Sequence, residues 1–166
     1  MLIVFGGLPG TGKTTIARRL AMRRSAAYLH IDAIEQAIRR ASILRGDIGP
    51  AGYFVANALA ASNLANGLTV VADCVNPVHE SRQGWRTTAA HAQARIIEIE
   101  IVCSDATEHR RRVEARRSDI DGLVLPTWQD VLEHDYEPWE EPHLVIDTAS
   151  LAPDGALAII ERHLSV

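Results

Sequence analysis

The sequence predicts an α/β domain in which strands alternate with helices, and three observations carry that prediction. Five short apolar runs, at 2–5, 26–31, 68–72, 95–103 and 143–147, are separated by stretches whose apolar residues recur at helical spacing. The first run passes directly into Gly7, Leu8, Pro9, Gly10, Thr11, Gly12, Lys13 and Thr14, which fits G-x-x-x-x-G-K-[ST] at every fixed position. The second and third runs each close on an aspartate, Asp32 and Asp73. With 166 residues the expectation is one domain, spanning 1–166.

The glycine-rich stretch has the context that its chemistry requires: a buried strand before it and a helix after it, beginning near Thr15. Its three glycines let successive backbone amides turn towards one anion, and the helix dipole adds to the field. In that role residues 7–15 cradle phosphates, Lys13 reaches the β- and γ-phosphates of a nucleotide, and the Thr14 hydroxyl holds Mg2+. Lys13 is also the single lysine among 17 Lys and Arg residues. A chain that elsewhere always uses the planar guanidinium keeps a compact ammonium at this one place.

Along the chain, Asp32 stands where the second strand gives way to a helical pattern. Two readings are open: a helix N-cap, or a carboxylate facing the crevice where open α/β sheets bind ligands. Residues 45–50 carry turn chemistry, and 53–66 read as an alanine-rich helix closed by Gly67. Asp73 ends the third strand and is the candidate partner of Thr14 in holding magnesium, directly or through water. Asn76, Arg82 and Trp85 follow at the same edge. They are candidate acceptor contacts, with Tyr53, Phe54 and Asn57 as further wall, although an amphipathic helix with Trp85 packed beneath it explains them equally well.

Residues 95–103 form the fourth strand, alternating in its middle. Asp105 with Glu108 resembles a capping box ahead of a helix that carries five arginines within 110–117. On that helix Arg112 and Arg116, four apart, share a side and can converge on one anion. Thr127 with Asp130 forms a second capping box, 133–142 reads as irregular and exposed, 143–147 as the fifth strand and 153–164 as a closing helix.

Composition narrows the partners. A formal net charge of −4 and a pI near 6.0 give no general pull towards nucleic acid. Cys74 and Cys103 follow apolar runs and read as reduced thiols, which with the lack of a leader-like segment or a membrane-length apolar run gives a cytoplasmic expectation. The seven histidines show no metal-ligand spacing. Asp119 with Gly122 matches a guanine-nucleotide switch only by accident, since no apolar strand precedes it and no Asn-Lys-x-Asp follows.

With 7–14, Asp32, Asp73 and the arginine helix placed along one chain, the pattern resembles the small P-loop kinases, a group that includes chloramphenicol phosphotransferase, gluconate kinase, adenylylsulfate kinase and polynucleotide 5′-kinase domains. The resemblance implies a three-layer P-loop NTPase fold with five parallel strands in the order 2-3-1-4-5, and a short arginine-rich lid at about 105–126 that closes over ATP. It implies ATP and Mg2+ as cofactors, Asp32 as the acceptor of the substrate hydroxyl proton, Lys13 and Thr14 as phosphate and magnesium ligands, Asp73 as the third-strand acid, and Arg112 and Arg116 as lid residues. Adenine is expected near Thr148. The segment 125–139 matches none of the named members, so the acceptor's identity stays open, as does the oligomeric state.

The expected function is transfer of the ATP γ-phosphoryl group to a hydroxyl of a small molecule. Two rivals remain: a polynucleotide 5′-hydroxyl kinase, which the arginine helix permits, and a non-catalytic ATP-dependent switch. An AAA-type motor fits less well, because Asp73 is followed by Cys74 and not by a glutamate.

Overall fold

The computed structural model describes residues 1–41 and 46–165. Arg45, the first residue of the expected 45–50 turn, lies outside them. β1 (Leu2–Gly6), β2 (Ala27–His30), β3 (Val70–Asp73), β4 (Ile96–Val102) and β5 (Leu144–Asp147) form one sheet in the order β2-β3-β1-β4-β5. Every pairing is parallel. This is the P-loop NTPase arrangement that the resemblance implies.

The period-two alternation of the central strand assigns the layers. Ile3 and Phe5 point to one face, where they pack with α1 (Lys13–Arg23) and α7 (Pro153–Leu164) through Ile16, Leu20, Leu157 and Ile160. Leu2 and Val4 point to the other, against α3 (Ala51–Ala65) and α4 (His79–His91) through Ala56, Ala60 and Trp85. Small alanines on α3 bring that helix close to the sheet; Gly67, at φ 77°, ends it in the left-handed turn that suits glycine. The chain moves from β1 to one side of the sheet and later returns to the other. The switch point therefore lies at the carboxyl end of β1, between β3 and β4.

Two boundaries differ from the sequence reading. The second strand stops at His30, and Ile31 opens α2 (Ile31–Arg40), so Asp32 sits in the first turn of a helix and not at a strand end. The N-cap position is held by His30, which makes no capping side-chain bond, so Asp32 is not the cap either. The arginine helix α5 (Ala106–Ala115) ends sooner than its charge run, leaving Arg116 in extended backbone. Asp105 caps α5 as expected, but Glu108 bonds Arg111 and Arg112 instead of closing a capping box. The box at Thr127 and Asp130 is complete and opens α6 (Trp128–Leu132).

The segment 133–142 is irregular and mostly exposed, as expected, but its aromatic side chains are anchored to the sheet. The Trp139 ring lies on Gly6, and its indole N–H donates to the Tyr136 hydroxyl, which donates to Glu100 of β4. The alternating acids of β4 thus face partners: Glu98 meets Arg86 of α4 at 2.8 Å, and Glu100 meets Tyr136 and His143.

Candidate active site

The loop between β1 and α1 is shaped by backbone that other residue types resist. Gly7, Gly10 and Gly12 have φ of 133°, 86° and 93°, and Gly12 is the left-handed N-cap of α1. Thr11 closes the turn by donating its hydroxyl to the Leu8 carbonyl at 2.9 Å. Lys13 begins the helix and is 6% exposed, a buried ammonium with no carboxylate bonded to it. Such a charge needs an anionic partner.

Two cavities flank this lysine. The first, about 610 Å³, is bounded by Gly10, Gly12, Thr14 and Thr15 of the loop, by Arg18 and Arg19 of α1, and by the arginines of the 111–117 stretch. The second, about 590 Å³, is bounded by the α2 face bearing Asp32, Glu35, Gln36 and Arg39, by Val75, and by residues 122–126. Lys13 and Arg116 line both. Two salt bridges tie the segment after α5 to the helices beside the cavities, Arg18 of α1 to Asp119 at 2.6 Å and Arg40 of α2 to Asp121 at 3.2 Å.

Asp73 is 1% exposed. Its Oδ2 accepts from the Tyr28 hydroxyl at 2.7 Å, while its Oδ1 has no partner within the protein. Burial, and then the charge of Asp73, pushes the Tyr28 phenol up, so Tyr28 stays a donor. His30 lies between the two aspartates, its Nε2 3.6 Å from Asp73 and 3.8 Å from Asp32. A buried carboxylate oxygen without a partner is the kind of hard oxygen donor that suits magnesium. Among the described residues no group of three or more His, Cys, Asp or Glu side chains gathers as a metal cage.

The arginine helix does not act as a simple pair. Arg112 is committed to the protein: it donates to Glu108 at 2.8 Å, to the Thr148 hydroxyl at 2.8 Å and to the Thr148 carbonyl at 3.0 Å. Thr148 in turn donates to the Thr11 carbonyl at 2.7 Å, so it bridges loop and helix and is not an open contact for adenine. Arg116, the C-cap of α5, makes no such bond and lines the first cavity together with Arg112. Arg111, then Arg112, hold the Glu108 carboxyl down to about 2 from its ordinary 4.5. With the folded value below the unfolded one, this contribution is present above about 4.5 and lost as the pH falls through about 2. Glu108→Gln is accordingly expected to lower the melting temperature slightly at pH 7 and to leave it unchanged near pH 2, the effect being small because the pair is exposed. Thermal melts at the two pH values, in low and high salt, check this.

The three candidate acceptor contacts after β3 are corrected by the structure. Trp85 is fully buried in the core beneath α4. Asn76 is fully buried too, held at φ 56°, and does not reach a cavity wall. Arg82, 2% exposed, donates to the carbonyls of Asn76, Pro77, Glu137 and Pro138 at 2.6–3.2 Å and lies 4.9 Å over the Trp139 ring. It fastens the 133–142 segment to the sheet edge. Arg82→Met removes the donor from the carbonyls of Asn76, Glu137 and Pro138, while Pro77 keeps the Glu137 amide, and is expected to cost about 2–4 kcal/mol in urea unfolding. A merely weakened acceptor KM at unchanged stability would contradict this structural role. Of the other expected wall residues, Tyr53 donates to no acceptor site but accepts the Asn76 amide, Asn57 bonds Thr88, and Phe54 faces outward.

Sequence reading missed Glu35, Gln36 and Arg39 as cavity residues. Their signal was present, since 32, 35, 36 and 39 recur at helical spacing from Asp32. It also missed His109, which the charge run around it concealed.

The sequence matches a family described as AAA domain over residues 2–134. A probable adenylyl-sulfate kinase from Aeropyrum pernix is 29% identical over 163 residues, covering 87% of this chain and 81% of that protein. Among solved structures, a putative kinase from Chloroflexus aurantiacus superposes with a TM-score of 0.75 at 22% identity, over 99% of this chain and 95% of its own. The Mycobacterium tuberculosis APS kinase in complex with AMPPNP and APS does so with a TM-score of 0.72 at 18% identity, over 99% and 97%. The family's description does not bring a motor's acid to this site, because the residue after Asp73 is Cys74, whose thiol burial pushes up and keeps neutral. With its phosphate loop at the switch point of a 2-3-1-4-5 parallel sheet, the chain belongs to this AAA-domain family and shares the fold of these kinases.

Proposed function

We propose that the chain transfers the γ-phosphoryl group of ATP to a hydroxyl of a small-molecule acceptor. The observation that carries the reading is the junction of two cavities at Lys13 and Arg116, with Asp32 on the wall of the second. Nucleotide occupies the first cavity and acceptor the second, so the group in flight passes between two cations. Phosphoryl transfer asks little covalent work of a protein beyond positioning and charge stabilisation.

In this reading the amides of 7–15 and the Lys13 ammonium hold the β- and γ-phosphates in line with the acceptor. The bond from the γ-phosphorus to the bridging oxygen of ADP breaks as one to the acceptor oxygen forms. The hydroxyl proton goes to the Asp32 carboxylate, and Arg116 offsets charge on the equatorial oxygens. Thr14 and the unpartnered Oδ1 of Asp73 would hold Mg2+, which supplies charge neutralisation at the phosphates. Relatives named as kinases support the reading, and no helix among the described residues is long and apolar enough to cross a membrane.

The test is ADP release from Mg-ATP across a panel of sugars, aminoglycosides, nucleosides, adenylyl sulfate and a 5′-hydroxyl oligonucleotide. Stimulation by one small compound is the expected result. Stimulation by the oligonucleotide alone, with affinity falling steeply as salt rises, would shift the assignment to a polynucleotide kinase. ATP binding with no stimulation by any compound would favour a switch.

A further inference from the structure

We propose that His109 is a positioning residue that sets the phosphate loop for nucleotide. His109 is buried on α5, and its Nε2 lies 2.8 Å from the Pro9 carbonyl oxygen. A carbonyl only accepts, so Nε2 carries the hydrogen. Trp128 meets the imidazole edge-on at 5.2 Å and closes its other side. Three residues further along the same face, Arg112 holds Thr148, whose hydroxyl donates to the Thr11 carbonyl. Two carbonyls of the loop, at Pro9 and Thr11, are therefore gripped from the α5 side.

The consequence follows from the planar trans peptide, in which a carbonyl and the next N–H point in opposite directions. Turning the Pro9 and Thr11 carbonyls towards α5 turns the amides of Gly10 and Gly12 away from it, as a phosphate nest needs. No competing bond orients the Gly10 amide, and Pro9 itself has no N–H to offer. Gly10 sits so close under His109 and Val113 that a Cβ there would meet both side chains, and thus loop and helix form one unit. The expected motion of a lid over 105–126 then excludes α5, whose face at 109, 112 and 113 is a fixed wall. His109 touches no substrate in this account; it acts through the loop.

The experiment measures binding of Mg-ADP and of inorganic pyrophosphate by calorimetry to wild type, His109→Leu, His109→Gln and His109→Asn, with the melting temperature of each. Glutamine places an amide N–H near the Nε2 position, whereas asparagine falls short of Pro9. Expected is a loss of about tenfold in affinity for both probes in the leucine and asparagine variants, and recovery to within about threefold in the glutamine variant. Equal loss for both probes is what separates an effect on the loop from one on adenine. Wild-type affinity in His109→Leu, equal affinities in the glutamine and asparagine variants, or a loss confined to ADP overturns the proposal. If His109→Leu does not fold, the glutamine and asparagine pair decides alone. Failure of the wild type to bind either probe overturns the phosphate-site reading as well, which distinguishes the two failures.

Discussion

Asp32→Asn is expected to slow phosphoryl transfer by about 10²- to 10⁴-fold while leaving Mg-ATP affinity within about twofold. The substitution keeps the size and planarity of the side chain and removes only its ability to take a proton. Asp32 lies in the first turn of α2 and lines the second cavity, not the first, where nucleotide is proposed to bind, so nucleotide binding has no reason to follow it. Nor does stability: its neighbour His30 lies 3.8 Å away, too far for a hydrogen bond, and no cap is lost. Single-turnover transfer and equilibrium ATP binding, measured side by side with the acceptor found in the panel, separate the two quantities. Full turnover in the variant would remove Asp32 as the base and leave positioning by Lys13 and Arg116 as the whole of the catalysis.

Gly7→Ala is expected to be the most damaging small substitution in the chain, lowering stability by about 3 kcal/mol or more and abolishing nucleotide binding. At φ 133° an L-residue is strained, and the added Cβ would collide with the backbone carbonyl of Ile101 on β4, which cannot swing aside as a side chain can. The Gly7 amide also donates to the Val75 carbonyl at 2.9 Å, so the loop cannot back away without breaking the register at the switch point. A fall in melting temperature of roughly 6–12 °C corresponds to that cost for a chain of this size. A well-folded Gly7→Ala protein that binds ATP with wild-type affinity would show that the loop has another accessible shape. Gly67→Ala is the contrasting control: its φ is positive too, but a Cβ there meets nothing, so its cost is that of the backbone alone.

The local chemistry of this protein was legible in its residues because each signal needs only neighbours along the chain. A strand, three glycines, a lone lysine and a helix specify the phosphate loop within about twenty residues. The capping box at Thr127 and the closing helix from Pro153 were legible for the same reason, since their partners are three or four residues apart. The strand order could be expected from resemblance, and the sheet has it.

What only the tertiary structure decided are contacts between residues far apart in the chain. Arg82 read as an acceptor contact because a polar side chain beside Asp73 looks available; it is consumed by carbonyls more than fifty positions away, at Glu137 and Pro138. Trp139 read as exposed because its segment is acidic and broken by proline, yet it covers Gly6 at the far end of the sequence. His109 and Thr148 gained their places from the loop at Pro9 and Thr11, a hundred residues earlier or more. Periodicity reports which face of an element is apolar, but carries no information on which distant polar group will meet which. That choice is made when the sheet closes, and at this protein's edge it separated the side chains that hold the site together from those that line its cavities.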